Sequence, residues 1–241
     1  VDPEDLRLAL ANERVSLVSI MYANHETGVR QPTRSLASLC QAAGVPFHVD
    51  AVQGLRSEAL TLSSTGADAL TFSAHKLNGP KGIGALALSD RAPDLGAVDA
   101  SLPAALVVGL AAALGRPKTP NQALRASRDA LQRQLLDRLK GAVVNGATAE
   151  RLASHLSLSI RGVSGEAVTL ALDQAGVAIS AGAACASGDP SPSSVMLALG
   201  HSRALATGTV RFSLQRPLDA NELSRVANAT ETAVTRLLKL G

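Results

Sequence analysis

Three predicted β-strands in the first half of the chain end in polar side chains rather than in ordinary turn residues. The segments that follow them are 24–28 (NHETG), 50–53 (DAVQ) and 73–76 (SAHK). If the strands are neighbours in a parallel sheet, their carboxyl ends bring these groups into one crevice. An acid, an amine, an imidazole, an amide and a hydroxyl would then share one site, which favours binding and proton transfer there.

Asp50 and Lys76 are the most specific pair among these groups. A carboxylate at a strand end can hold a protonated pyridine nitrogen, and a partly desolvated Lys76 can form a Schiff base. Pyridoxal phosphate requires this pair, because the carboxylate keeps the ring an electron sink and the amine holds the carbonyl. Plainer interpretations stay open: Asp50 also fits a helix N-cap, Lys76 a solvated lysine, and His75 and His48 structural histidines.

The two cysteines have different sequence surroundings. Cys185 lies in a run of small residues, 180–188 (SAGAACASG), before a predicted helix start at Ser191 and Pro192. Such a segment favours a mobile loop with a reactive thiol, since a structural cysteine prefers large apolar neighbours. Cys40 lies on the apolar stripe of a predicted helix, and we expect it in the core.

The pattern of elements predicts an α/β fold with a mostly parallel sheet, followed by a smaller α+β domain. The expected domains are 1–114 and 115–241. Strands alternate with helical segments in the first, which implies crossover connections. The predicted strands are 15–21, 45–50, 69–73, 84–88, 156–160 (half-exposed), 177–180 and 210–214. The predicted helices are 33–43, 102–114, 121–140, 166–175 and 221–240. Arg211, in the last strand, fits either a carboxylate anchor or a surface arginine.

Composition excludes several classes of protein. The chain is 46% hydrophobic and 18% charged, which is typical of a globular domain. Its longest apolar run, 102–114, is too short to cross a bilayer, so we expect no membrane partner. A net charge of +3 with 2% aromatic residues argues against nucleic-acid binding. The two cysteines form no zinc pattern and indicate a reduced, cytoplasmic protein. The chain begins without Met and without a signal peptide, which predicts a processed chain or a piece of something longer.

Five motifs occur in an order that resembles one family, the pyridoxal-phosphate-dependent cysteine desulfurases of the class-V aminotransferase type. The motifs are NHETG, HVDAVQ, SAHK with GPKG, the cysteine segment, and GTVRFS around Arg211. The resemblance runs from near Val15 to the end of the chain. It implies the fold-type-I aminotransferase architecture, pyridoxal 5'-phosphate as cofactor, and sulfur transfer of the kind used in iron–sulfur cluster assembly.

The resemblance also implies roles for the cofactor-binding residues. Lys76 would carry the Schiff base and then act as the base at the substrate Cα. Asp50 would pair with the pyridine nitrogen, and Gln53 would hydrogen-bond the ring hydroxyl. Ser73 and His75 would hold the cofactor phosphate.

The implied substrate is L-cysteine, converted to L-alanine. Arg211 would bind its carboxylate, with Asn24 and His25 near the ring oxygen or the substrate. Cys185, as thiolate, would attack the substrate sulfur, and its persulfide would pass to an acceptor protein. The resemblance further implies a homodimer.

The sequence departs from the family pattern at three places. The N-terminal portion, which carries a Gly/Thr-rich phosphate loop and a histidine that stacks on the ring, is absent. His25 replaces the second of two asparagines. The stretch 91–101 is short, and Ser101 aligns with a threonine that is donated to the partner subunit. Rival interpretations are therefore a non-catalytic fragment or scaffold of the same fold, and a related lyase or aminotransferase such as a selenocysteine lyase.

Overall fold

Strands and helices alternate along the structure, a computed structural model that describes residues 1–93, 101–116, 121–182 and 192–240. The chain forms two units. One comprises Val1–Asn24 and Arg30–Lys118, and the other His25–Val29 and Thr119–Gly241. The chain thus enters the second unit briefly, directly after the first strand, before it returns to the first.

The first unit contains four strands and four α-helices among its described residues. The strands are β1 (Val18–Met21), β2 (Phe47–Asp50), β3 (Ala69–Ser73) and β4 (Gly84–Leu88). The helices are α1 (Pro3–Asn12), α2 (Thr33–Ala42), α3 (Leu62–Thr65) and α4 (Ala104–Leu114), and a 3-10 helix spans Ala74–Leu77. The sequence missed α1, which begins with Asp2 as N-cap, accepting a hydrogen bond from the Glu4 amide at 2.8 Å.

The sheet of this unit has the order β1-β2-β3-β4. β1, β2 and β3 run parallel, with Met21 opposite Asp50 and Asp50 opposite Thr71. β4 is antiparallel to β3. The connection between them, 74–83, is shorter than the roughly dozen residues that a parallel crossover needs. The predicted mostly parallel sheet is thus confirmed, with an antiparallel strand at its edge.

The second unit places helices against an antiparallel sheet. Its strands are β5 (Val143–Val144), β6 (His155–Ser159), β7 (Ser180–Ala181) and β8 (Thr209–Ser213), in the order β5-β6-β8-β7. Its helices are α5 (Asn121–Arg138), α6 (Gly165–Gln174), α7 (Ser194–Ala198), α8 (Arg203–Thr207) and α9 (Ala220–Leu238). Apolar side chains of α5, α6, α9, β6 and β8 form one core, which includes Leu135, Leu156, Leu172, Val210 and Ala227.

The prediction that β6 is half-exposed is wrong, since all five of its residues are buried. Its alternating pattern is real, but the serine face is covered by polar partners instead of water. Ser157 Oγ accepts from Asn145 Nδ2 at 2.9 Å, and Ser159 Oγ lies 2.7 Å from Thr209 Oγ1. Buried hydroxyls that are hydrogen-bonded in this way remain compatible with a strand inside the fold.

The predicted helix start at Ser191 and Pro192 is also wrong. Ser191 lies outside the described residues, and α7 begins at Ser194 with Ser193 as its N-cap. The stretch 94–100, within the shortened segment noted above, and Cys185 also lie outside the described residues. In the part of the chain that the structure describes, no helix combines the length and the apolar character needed to cross a membrane.

Candidate active site

The carboxyl ends of three neighbouring strands lie at one edge of the first unit's sheet. Because β1, β2 and β3 are adjacent and parallel, the residues that follow them emerge side by side. Asp50 ends β2, Ser73 ends β3, and Asn24 follows β1 after two residues. The expectation that these strands are neighbours is confirmed, and it places the segments 50–53 and 73–76 at the same edge.

Asp50 is half-buried at this edge and begins a turn, not a helix. Its Oδ1 accepts a hydrogen bond from the Val52 amide at 2.8 Å, while α3 has its own N-cap at Thr61. The alternative that Asp50 serves as a helix N-cap is therefore wrong. Gln53 is half-buried in the same turn. One carboxylate oxygen of Asp50 orders the turn, which leaves the second for another donor.

His75 and Lys76 lie on the outer face of the 3-10 helix. A 3-10 helix has three residues per turn, so Ala74 and Leu77 share one face, and both are buried. His75 and Lys76 are exposed, and among the described residues neither has a hydrogen-bond or ion-pair partner. The expectation of a partly desolvated Lys76 is wrong for this structure, because no described part of the first unit covers this face.

His48 has the structural role that its plainer interpretation predicted. Its Nδ1 lies 2.8 Å from Ser19 Oγ and its Nε2 lies 2.8 Å from Thr71 Oγ1. Both ring nitrogens are therefore occupied by side chains of the two flanking strands. Cys40 is fully buried as a free thiol, as predicted.

A buried cluster that the sequence analysis missed supports the turn after Asp50. Tyr22 bonds Glu58 through its hydroxyl, and Arg30 Nη2 donates to the same hydroxyl at 2.7 Å and lies 3.2 Å from Glu58 Oε2. Burial and the neighbouring Glu58 raise the pKa of Tyr22 to about 12. A Cβ on Gly54 would lie 2.4 Å from the Tyr22 ring, so the turn packs directly on this ring. No local pattern predicts the cluster, because Glu58 lies 36 positions from Tyr22 in the chain.

Arg211, in the second unit, donates hydrogen bonds from all three of its side-chain nitrogens. Its Nη1 donates to the His25 carbonyl oxygen at 2.6 Å, its Nη2 to Ser180 Oγ at 3.2 Å, and its Nε to Ser213 Oγ at 3.2 Å. The side chain is half-buried and hydrogen-bonded, which distinguishes it from a solvated arginine on the surface. The bond to His25 spans most of the chain, and no sequence pattern predicts it.

The segment His25–Val29 is built into the second unit by its backbone. Gly28 has a φ of +74° and lies so close to His155 that a Cβ there would be 2.5 Å from the His155 Cβ. The Gly28 carbonyl accepts from the Leu152 amide at 2.8 Å. Only glycine combines this backbone conformation with this close approach, which explains why the NHETG motif ends in glycine.

Residues 1–95 and 100–226 match the family model described as aminotransferase class-V. The chain belongs to this family. Among curated relatives, a cysteine desulfurase of Sinorhizobium fredii (strain NBRC 101917 / NGR234) is 37% identical over 238 residues, covering 93% of this chain and 62% of the relative. The cysteine desulfurase NifS of Azotobacter vinelandii is 34% identical, covering 95% of this chain and 60% of the relative. The chain thus spans less than two thirds of the length of these relatives.

Solved structures of similar proteins confirm the α/β fold. A NifS-like protein from Rickettsia africae ESF-5 superposes with a TM-score of 0.81 at 22% identity, covering 98% of this chain and 67% of that one. Another NifS-like protein has a TM-score of 0.80 at 26% identity, covering 98% of this chain and 65% of that one. The fold-type-I aminotransferase architecture expected from the motifs is thereby confirmed.

Proposed function

We propose that this chain is the larger part of a cysteine desulfurase that uses pyridoxal phosphate to convert L-cysteine to L-alanine. The observation that carries the proposal is the placement of Asp50 and Lys76 after neighbouring parallel strands, at one edge of one sheet. The curated relatives named cysteine desulfurase, at 34–37% identity, support the same reaction.

The donor set at this sheet edge fits the cofactor. Asp50 offers a carboxylate oxygen to a protonated ring nitrogen, and Gln53 offers an amide to the ring hydroxyl. Ser73 and His75 offer a hydroxyl and an imidazole to the phosphate. Lys76 offers an amine that has no partner among the described residues of its unit. When bound, the cofactor supplies an electron sink that stabilises negative charge developing at the substrate Cα.

In the proposed mechanism, Lys76 has two roles at one atom. Its Nζ would hold the cofactor through the aldehyde carbon, and as a free amine it would take the proton from the substrate Cα. Asp50 would hold the protonated ring nitrogen through its second carboxylate oxygen. Asn24 and His25 follow β1 and would contact the ring oxygen or the substrate.

The sulfur-transfer step would use Arg211 and Cys185. Arg211 binds the substrate carboxylate with the two-pronged geometry of its guanidinium, which the contacts to His25 and Ser180 hold in place. The Cys185 thiolate attacks the substrate sulfur, so an S–S bond forms as the substrate C–S bond breaks. The electron pair of that bond stays on carbon, Cβ gains a proton, and the products are alanine and a Cys185 persulfide.

We also propose the partners that this chemistry requires. A protein acceptor with a reduced thiol would receive the persulfide sulfur. A homodimer would supply the part of the phosphate site for which Ser101 is the candidate residue. A reducing, cytoplasmic location is supported by the free, buried thiol of Cys40.

Cofactor binding by Lys76 tests the proposed function. The chain is titrated with pyridoxal phosphate, reduced with borohydride and analysed by peptide mass spectrometry. We expect one covalent label, on Lys76, and its loss in Lys76→Ala, while Lys81→Ala, another exposed lysine of the same segment, keeps it. Equal labelling of both lysines, or none at saturating cofactor, would contradict the proposal.

A further inference from the structure

The carboxylate of Glu26 is buried within the second unit, where its side chain is only 7% exposed. Its Oε2 accepts a hydrogen bond from Ser193 Oγ at 2.6 Å. Ser193 is itself 4% exposed and caps α7, since its Oγ accepts from the Met196 amide at 3.3 Å. A buried carboxylate that receives a short hydroxyl hydrogen bond forms one of the stronger contacts in a protein.

This contact fixes the point where the chain leaves the cysteine segment. Cys185 lies between Gly182 and Ser193 in the sequence. At the upstream end, the Gly182 amide donates to the Thr209 carbonyl at 2.8 Å, and Ser180 Oγ accepts from Arg211. At the downstream end, Ser193 donates to Glu26. Both flanks of the segment are therefore held by side-chain and backbone hydrogen bonds within one unit.

The two flanks are linked to each other through adjacent residues. Arg211 donates a hydrogen bond to Ser180, at the upstream flank, and another to the His25 carbonyl oxygen. His25 precedes Glu26 in the chain, and Glu26 bonds Ser193 on the downstream side. Three hydrogen bonds and one peptide bond thus form a continuous chain through Ser180, Arg211, His25, Glu26 and Ser193.

We propose that Glu26 is a positioning residue for sulfur transfer. Through Ser193 it fixes the downstream flank of the segment that carries Cys185, and through the peptide it shares with His25 it fixes the carbonyl that orients Arg211. This inference rests on the proposed function, because it assigns Glu26 to the approach of the Cys185 thiolate toward a substrate whose carboxylate Arg211 binds. Glu26 itself touches neither the substrate nor the cofactor in this scheme.

Four variants distinguish the effect of the hydrogen bond between Glu26 and Ser193 from the effects of side-chain burial and of helix capping. Glu26→Leu removes the acceptor at similar size, and Glu26→Gln retains an acceptor oxygen. Ser193→Ala breaks the same bond from the other side and tests the inference even if Glu26→Leu does not fold. Ser202→Ala is the matched control, because Ser202 caps α8 through the Leu205 amide at 3.3 Å, a cap of the same kind in the same unit.

Hydrogen exchange gives a readout that needs no cofactor. We expect exchange in the peptide 192–198 to become about tenfold faster in Glu26→Leu and Ser193→Ala, because each removes the buried hydrogen bond between Glu26 and Ser193. Glu26→Gln should stay close to the wild type, and Ser202→Ala should leave this peptide unchanged. Unchanged exchange in Ser193→Ala, or an equal increase in Ser202→Ala, would overturn the inference.

Persulfide formation on Cys185 gives the second readout, measured in the chain loaded with pyridoxal phosphate and supplied with L-cysteine. We expect kcat to fall about tenfold or more in Glu26→Leu at unchanged cofactor affinity, since a small misplacement of a reacting group is costly. Glu26→Gln should restore most of the rate. An active wild type with an equally active Glu26→Leu overturns the inference alone. A cofactor-bound wild type that forms no persulfide overturns the proposed function itself.

Discussion

Arg211 Nη1 lies 2.6 Å from the carbonyl oxygen of His25, although 186 positions separate the two residues in the chain. This bond ties the last strand of the second unit to the segment that directly follows the first strand of the chain. It helps to hold the guanidinium in one orientation. The bond therefore fixes the guanidinium that we propose as the group that binds the substrate carboxylate.

Arg211→Lys should weaken substrate binding without affecting the cofactor. Lysine carries the charge but lacks the planar fork that bonds the His25 carbonyl and a carboxylate together. We expect KM for L-cysteine to rise about tenfold, equivalent to roughly 1.4 kcal/mol, with the affinity for pyridoxal phosphate unchanged. Arg203→Lys, at an exposed position of α8, is the control. Equal KM values in wild type and Arg211→Lys would show that Arg211 does not bind the substrate carboxylate.

Tyr22 is the single tyrosine of a chain without tryptophan, so its ionisation can be followed by phenolate absorbance alone. Its pKa is raised to about 12 by burial and by Glu58. The unfolded state releases this proton near pH 10 and the folded state only near pH 12, so stability should fall as pH rises through this window. Glu58→Gln should lower the midpoint of the absorbance titration. A wild-type midpoint near 10 would show that the cluster does not form.

Gly54→Ala should destabilise the turn that carries Gln53. The new methyl group would lie 2.4 Å from Tyr22 Cδ1 and 2.7 Å from Leu60 Cδ1. Overpacking of this kind costs about 1–3 kcal/mol. Urea unfolding measures the loss, and Gly115→Ala is the control, since the nearest atom to its new Cβ is at 3.6 Å. Equal unfolding midpoints for the two variants would contradict the packing described.

Leu172→Ala and Leu170→Ala should differ sharply although both change one helix, α6. Leu172 is fully buried in the core of the second unit, whereas Leu170 is 67% exposed. Truncation of a buried leucine costs about 2–5 kcal/mol, while a surface change usually stays within about 0.5 kcal/mol. The free energy of unfolding from urea titrations tests this contrast. Similar losses of unfolding free energy in the two variants would contradict the burial of Leu172 in the core.

Local sequence patterns predict the elements of this chain better than its connections. The strands 69–73 and 84–88 have the predicted bounds, because in each an apolar run gives way to polar residues. The antiparallel direction of β4 follows from the short connection that precedes it. The burial of β6 could not be predicted, because it depends on Asn145 and Thr209, which supply partners for its serines from other strands and loops.

In the candidate site, too, local sequence patterns predict single motifs but not the contacts between distant segments. The motif residues at the three strand ends were found because polar groups there are unusual, and the parallel pairing of β1, β2 and β3 places them at one edge. The bond from Arg211 to the His25 carbonyl and the contact between Glu26 and Ser193 were missed, because they join segments more than 160 positions apart. Such contacts arise from tertiary packing, which leaves no periodic signal in the sequence.

The central claim is that Asp50 and Lys76 bind opposite sides of one cofactor ring. The most direct test is the ¹⁵N NMR shift of the ring nitrogen in labelled pyridoxal phosphate, because this shift reports whether the nitrogen is protonated beside Asp50. With the cofactor bound through Lys76 in the wild type, the account predicts the shift of a protonated ring nitrogen. In Asp50→Asn it predicts the shift of a neutral nitrogen at the same pH. Identical shifts in the two proteins, or a cofactor attached away from Lys76, would contradict the account.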